Sequence, residues 1–537
     1  MNRSRVVAAA VGVFGFSSSA WADVIDADPS NYRTLLQQLE PGDTLALAPG
    51  TYTRLTLQSL AGTAEAPIVI AGPTEGEPSI IVGESGFNTV QLYGCSHVIV
   101  RNLVVDVQGL AVDAINAKDS ISHDITIEHN LLRGFPADNQ QIVGINTKST
   151  AYNWVIRGNV VLEPGTGLYL GNSNGAAPFV SGIIEHNLVL NPLGYGMQIK
   201  HQNDYTPVDG MPSGPSGPSV TLIRHNVFIK DDRASPSGNR PNLLVSGFPD
   251  SGAGSEDRYE IYGNLLFSNP RESLLQASGR MSIHDNVFAG AGGDQSAINI
   301  TPHEGKNVQI AHVYNNTILG GARGIRLGAN ATQSAAAVGN LIFADTPISG
   351  SFSDERDNVV DSIENAGRYV ADPTLELGAL DLYPLPNAVD GDPIDLTAFA
   401  DDVDHDRDYN GVSKGGFTFR GAYAGAGVNP GCPLAAEPKS GCVVEDDDEG
   451  GDTGGNDDDG GSDAGDSVGD DAGESGSGSS DTGEEAGTGG QVEGESAGCG
   501  CATNRPTPAW LGFMLLPLLH GRRLAPRTRR FKASRTT

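Results

Sequence analysis

With 537 residues, 71 of them glycine and only 6% aromatic, the chain is long enough for several ordinary domains or for one long repeat domain with appendages. Its formal net charge is −32, and setting aside 19 acidic residues in 445–495 and ten basic residues at the two ends leaves −23 on residues 23–442. A body that acidic excludes nucleic acid and an anionic membrane as partners, since either calls for a basic surface.

In chain order, residues 1–22 come first. Arg3 and Arg5, the apolar run VVAAAVGVFGF and the small-residue AWA before Asp23 read as a secretory signal peptide, so the mature protein is expected to be exported. Residues 41–73, PGDTLALAPGTYTRLTL and then GTAEAPIVIAGP, lead through short β-rich runs into VIVRNLVVD. From there one motif repeats, a β-rich run ending in Asn, at Asn102, Asn130, Asn159, Asn187, Asn226, Asn264, Asn286, Asn316 and Asn340. The spacings are 28, 29, 28, 39, 38, 22, 30 and 24. Each repeat adds a second run after the Asn and a third such as GINTKS, GLYLGN, GMQIKH or AINITP. Short strands and turns at this period mark a solenoid whose coils bury their faces against their neighbours. Three strands per coil predict an all-β, right-handed parallel β-helix over residues 23–345, with 346–442 as its C-terminal cap region. Asn tolerates left-handed backbone at a tight bend and can hydrogen-bond along a stack, which gives the column its physical reason. The column two residues before each Asn starts at Val100, and Glu128, Arg157, Glu185 and Arg224 in it predict a charge ladder of structural role, with His129, His186 and His225 read as scaffold too.

The 41–73 stretch and VIVRNLVVD resemble the start of the parallel β-helix polysaccharide lyases of the chondroitinase-B and alginate-lyase type. That resemblance implies a pectate-lyase-like solenoid, a uronate polysaccharide substrate, and chemistry by Lys and Arg with Ca²⁺ bound by Asn and Glu. The family's Glu ligands and its LRHG-type arginine motif are absent here, and LIRHN at 222–226 occupies a scaffold position instead.

In such lyases the third strand of each coil carries the groove. Period-2 alternation puts Ile115, Ile145, Leu168, Met197, Ile298 and Ile325 inward and the next residue outward. The outward column then reads Gln91, Asn116, Asn146, Tyr169, Gln198, a position near Leu244, Gln276, Asn299 and Arg326, with Lys118, Lys148 and Lys200 two residues further along their strands. The two longest Asn spacings come from loops after Lys200 and on either side of the next equivalent strand, all bordering one face, and long loops on a minimal scaffold usually wall a site.

β-Elimination needs a base, a cation for the uronate carboxylate and a proton donor for the leaving oxygen. Lys200 is the expected base, with like-charged Lys148 as a neighbour that favours the neutral amine. Arg240 or Arg233 is the expected cation, and Tyr169, His201 or Tyr205 the donor. Asn116, Lys118, Asn146 and Gln198 would line the substrate path, and Asp204, Asp231 or Asp232 would hold Ca²⁺. The outward columns hold no aspartate pair for glycoside hydrolysis. YGMQIKHQND is similar to the Tyr-Gly…His motif of mannuronan epimerases, with Gln198 in place of the Asp. The expected partner is an extracellular polysaccharide and the expected state a monomer, with a non-catalytic carbohydrate-binding or adhesin role as the alternative.

The remaining segments frame this body. Residues 401–411, DDVDHDRDYNG, depart from the EF-hand spacing and read as part of the cap. Cys432 and Cys442 are expected to close a small disulfide loop, with Cys95 a buried free thiol. Residues 443–498 carry Gly, Asp, Glu and Ser without Lys or Arg, the composition of a disordered, self-repelling stalk. Residues 499–537 hold Cys499 and Cys501, the apolar AWLGFMLLPLLH and the basic GRRLAPRTRR, an apolar run short of the roughly 20 residues that span a bilayer. This order resembles the sorting tail of myxobacterial surface proteins, which implies surface attachment through the tail while the body makes no membrane contact.

Overall fold

A computed structural model of the chain describes residues 22–205 and 218–439. The leader apart from Ala22, residues 206–217 of the loop after Lys200, Cys442, the stalk and the tail lie outside the described residues. Each coil places one strand in each of three parallel sheets. Sheet I runs from Val24–Ala27 to Asp354–Arg356, sheet II from Gly50–Thr53 to Val359–Asp361, and sheet III from Leu55–Gln58 to Thr346–Ser349. The right-handed parallel β-helix expected from the repeat is the fold observed, and it continues past residue 345, because the last strand of each sheet lies beyond that point.

Side-chain alternation fills the core. In sheet III, Ile115, Ile145, Leu168, Met197, Leu243, Leu275, Ile298 and Ile325 are aligned strand by strand and fully buried. Each such side chain contributes roughly 1.5–3 kcal/mol by leaving water.

The asparagine column is a continuous hydrogen-bonded ladder. The Nδ2 of Asn130 donates to Oδ1 of Asn159 at 3.0 Å, and the pattern repeats through Asn187, Asn226, Asn264, Asn286, Asn316 and Asn340 to Asn358. Two expectations are corrected here. The left-handed residue at the bend is the one before the ladder Asn, namely His129, His186 and His225 at φ 54° and Gly158 at φ 62°. Asn102 is itself left-handed at φ 56°, and the following Leu103 takes the ladder position, its N–H donating to Asn130 Oδ1 at 3.0 Å. The charge row is accordingly shifted by one residue at its start. It begins at Arg101, which pairs with Glu128, and continues as Arg157–Glu128 at 2.7 Å and Arg224–Glu185 at 2.8 Å.

Of the expected cap region 346–442, the first part still supplies coil strands, and residues 363–439 lie along the side of the coils. Asp402 accepts from Tyr314 Oη at 3.1 Å, Asp404 from Tyr262 Oη at 2.8 Å, and Lys439 Nζ donates to Gly263 O at 2.8 Å. Asp408 accepts three backbone N–H groups, from Asn410, Val412 and Ala424. The aspartates of 401–411 therefore fasten this segment to itself and to the solenoid. Cys95 is a buried free thiol and the buried Cys432 is disulfide-bonded, while its expected partner Cys442 is outside the described residues.

Candidate functional site

The outer face of sheet III carries the expected polar column in register, but Gln91, Asn116, Asn146 and Gln198 in it are buried, not open to solvent as the sequence reading expects. Gln91, Asn116, Asn146, Tyr169, Gln198, Leu244, Gln276, Asn299 and Arg326 are successive partners, so Leu244 is an apolar rung in the row. At its amino end the row reaches Thr56, where a cavity of about 640 Å³ is lined by Arg33, Arg54, Thr56 and Gln58.

One cluster sits on the early coils. The buried Asp113 carboxylate accepts from Asn146 Nδ2 at 2.7 Å and Asn116 Nδ2 at 3.4 Å, and pairs with Lys148 at 3.5 Å. Those contacts turn both amide oxygens away, and Asn116 Oδ1 and Asn146 Oδ1 are buried with no hydrogen-bond partner among the described residues. Lys148 also lies over the Tyr169 ring at 5.9 Å, and burial raises the Tyr169 phenol above its ordinary range. Lys118 pairs with Asp119 at 3.7 Å and is partly exposed.

The second cluster surrounds Lys200, and its central residue had not been singled out in the sequence. After strand Ser296–Ile300 the chain folds into a tight hairpin, with His303 N–H donating to Lys306 O at 3.1 Å and Lys306 N–H to His303 O at 2.9 Å. Its two central residues, Glu304 at φ 50° and Gly305 at φ 76°, are both left-handed, as a two-residue type I′ hairpin turn requires. Lys306 Cβ lies 2.5 Å from where a side chain at Gly247 would begin, so the missing side chain there admits the hairpin.

The hairpin delivers the Glu304 carboxylate to Lys200 Nζ, to His201 Nδ1 at 3.0 Å and to Ser246 Oγ at 3.0 Å. The cluster is mostly covered, with side-chain exposures of 10% for Lys200, 13% for His201 and 21% for Glu304. Burial pushes the Glu304 carboxyl up, but hydrogen bonds from Lys200 and His201 outweigh it and hold the group down at about 2. The His201 ring packs on Gly175, where a side chain would begin 2.7 Å from Nε2. Gln276 Nε2 meets His303 Nδ1 at 3.2 Å, so the row of sheet III also supports the hairpin.

The other expected site residues separate into two groups. The loops they occupy do flank neighbouring strands, Met197–Ile199 and Leu243–Val245. Arg240 lies in this neighbourhood, its guanidinium 5.6 Å from the Tyr195 ring centre and held by Asn239 O at 2.8 Å and Ser237 O at 3.1 Å. Arg233, in contrast, is held by Asp231 at 2.6 Å and by Asn191 O. Tyr205 is buried with its hydroxyl on Asp257 at 3.4 Å, and burial, then the Asp257 charge, push its phenol up to about 12. That geometry makes Tyr205 an anchor of the loop.

The expected neighbours of Lys200 are also corrected. Lys148 is engaged with Asp113, and the charge against Lys200 is a carboxylate, the opposite of the like-charged setting assumed for a neutral amine. The Ca²⁺ ligand set does not fit. Asp231 is engaged by Arg233 and Asp204 accepts from Ala253 N–H at 3.1 Å, while Asp232 meets Arg271 only through its backbone carbonyl, at 2.7 Å. Among the described residues these three aspartates form no convergent ligand group.

No protein-family profile matches the sequence, and no curated protein matches it. Solved structures that match include a PL6 family alginate lyase, AlyGC, at 16% identity and TM-score 0.41, covering 63% of this chain and 51% of that one. The chain thus spans about half the length of that lyase. Others are the pectate lyase Pel9A, at 12% identity and TM-score 0.38 over 75% of this chain and 97% of that one, and the A-module of the Azotobacter vinelandii mannuronan C-5 epimerase AlgE4, at 16% identity and TM-score 0.37 over 62% and 90%. At these values they carry no argument about activity.

Proposed function

We propose that the protein binds a uronate polysaccharide along the outer face of sheet III and cleaves it by β-elimination at the cluster of Lys200, His201 and Glu304. The observation that carries this reading is the convergence of Lys200, His201 and Ser246 on one half-buried carboxylate, beside the polar row and the long loops. With Nδ1 donating to Glu304, His201 keeps Nε2 as the acceptor for the proton alpha to the uronate carboxylate. The base role thereby passes from Lys200 to His201. Lys200 and Arg240 supply positive charge where negative charge grows as that proton leaves. Tyr169, kept as a phenol by burial, donates a proton to the leaving oxygen. No step is assigned to Ca²⁺, because the residues expected to hold it do not converge.

A second reading, carbohydrate binding without turnover, is favoured by the Glu304 carboxylate that already opposes Lys200. Incubation with alginate, pectate and glycosaminoglycans separates the two, since β-elimination creates an unsaturated sugar with near-ultraviolet absorbance and binding alone does not. Export and surface attachment belong to the same proposal and rest on residues 1–22 and 499–537. Fractionation of the producing cells tests them, and protein confined to the cytoplasm contradicts them.

A further inference from the structure

Sheet I carries a second constellation, away from the outer face of sheet III. Strands Ser96–Arg101 and Ser122–Glu128 pair with His123 opposite Ser96 and Ile125 opposite Val98, which places His97 and Asp124 side by side in adjacent coils. Both are left-handed, at φ 50° and 53°, and the same slot in the next two coils holds Asn153 at φ 55° and Ser181 at φ 53°. The left-handed residue breaks the in-out alternation, so His123 and Asp124 turn toward one side although they are consecutive.

The result is a compact donor set. One ligand atom from each of His97, His123 and Asp124 lies within 4.8 Å of the others. His123 Nδ1 is 2.6 Å and His97 Nε2 3.9 Å from Asp124 Oδ2. Asn153 Nδ2 donates to Asp124 Oδ1 at 3.0 Å, fixing the carboxylate so that Oδ2 faces the imidazoles. Tyr152 stacks on His123 at 4.7 Å and 3°, fixing that ring, and His97 meets His123 edge-on at 5.9 Å. The three side chains are 27–31% exposed, so an ion can reach them from solvent.

We propose that His97, His123 and Asp124 form a binding site for a divalent transition-metal ion of the Zn²⁺ or Cu²⁺ class. Bonds of about 2.0–2.2 Å to such an ion set neighbouring ligand atoms roughly 3.3–3.6 Å apart in a tetrahedron, between the two separations seen here. Two imidazoles with one carboxylate suit Zn²⁺ and Cu²⁺, whereas Ca²⁺ and Mg²⁺ select oxygen-only sets. Three protein ligands leave a coordination position open to water or to a donor from another molecule. Asn153 acts through Asp124 as a positioning residue, a role whose loss typically weakens metal binding about 10–100-fold.

The test uses the full chain stripped with a chelator, whose acidic stalk also attracts cations, so the readout must report imidazole. Calorimetric titration with Zn²⁺ is expected to show one tight equivalent that is lost in the His97→Ala/His123→Ala variant and weakened about 10–100-fold in Asn153→Ala. Electron paramagnetic resonance of the protein with one equivalent of Cu²⁺ is expected to show coupling to two imidazole nitrogens. Unchanged Zn²⁺ affinity in the double variant, no tight equivalent in the parent, or a Cu²⁺ spectrum without nitrogen coupling in the parent overturns the proposal. The last result needs no variant to fold.

Discussion

Glu304 meets Lys200 across three strand intervals of sheet III, from a hairpin that follows Ser296–Ile300 to a residue that follows Met197–Ile199. At about 4.8 Å per interval the hairpin reaches back roughly 14 Å along the face. It crosses Gln276 and Ser246 on the way and uses both as supports.

The turn that makes this reach possible depends on backbone conformation at Gly305, which has φ 76° and open space around it. Gly305→Asn is therefore expected to change stability by less than about 0.5 kcal/mol, and Gly305→Val to cost about 1–2 kcal/mol, since only the left-handed conformation distinguishes them. Urea unfolding midpoints of the two variants check this.

Removing the carboxylate has a defined pH signature. The folded Glu304 carboxyl titrates near 2 instead of its ordinary 4.5, so the folded state binds fewer protons than the unfolded state between those values. Its stabilisation is present in full above about 4.5 and is lost as pH falls through 2. The gap in unfolding free energy between the parent and Glu304→Gln is expected to be constant from pH 6 to 8, on the order of 1–3 kcal/mol, and to shrink only below the ordinary carboxylate range. A gap that grows on acidification contradicts the ion-pair geometry.

The asparagine ladder yields a paired comparison. Asn226 is fully buried and bonds to Ile184 O, Asn264 and Asn187, so Asn226→Ala leaves several buried groups unpaired and is expected to cost about 3 kcal/mol. Asn102→Gly is expected to be nearly neutral, because Asn102 sits in the left-handed slot that other coils fill with Gly. Equal costs for the two would show that Asn102 belongs to the ladder after all.

Among the tyrosines, only one is expected to matter for turnover. Tyr169→Phe should lower product formation about 10²-fold or more if the phenol is the proton donor. Tyr205→Phe should leave it unchanged, since that hydroxyl points to Asp257. Initial rates with each variant decide between them.

Much of this was legible before the structure. The column from Gln91 to Arg326 and the inward partners from Ile115 to Ile325 follow from strict period-2 alternation within a repeat, and the strand register reproduces them. The slip at Asn102 arose because Asn suits both the bend and the ladder, and in VIVRNL it sits one place earlier than in its sister coils. Glu304 went unnoticed because its contact with Lys200 joins residues 104 apart through a hairpin, which repeat periodicity does not encode. Its local trace was the Glu304-Gly305 pair after AINITPH, a turn signal with a charge at its tip. His97 and Asp124 were similarly hidden, since left-handed residues inside strands break the alternation on which the sequence reading depends.

The most direct test of the central claim is the release of unsaturated uronate from alginate, pectate and glycosaminoglycans by the full chain and by His201→Asn and Lys200→Ala. The expected result is turnover of at least one of these polymers, reduced about 10²-fold or more by His201→Asn, as for a general base, and lowered by Lys200→Ala as well. Binding of a uronate polymer with no unsaturated product from any of them, or turnover that survives both substitutions, would contradict it.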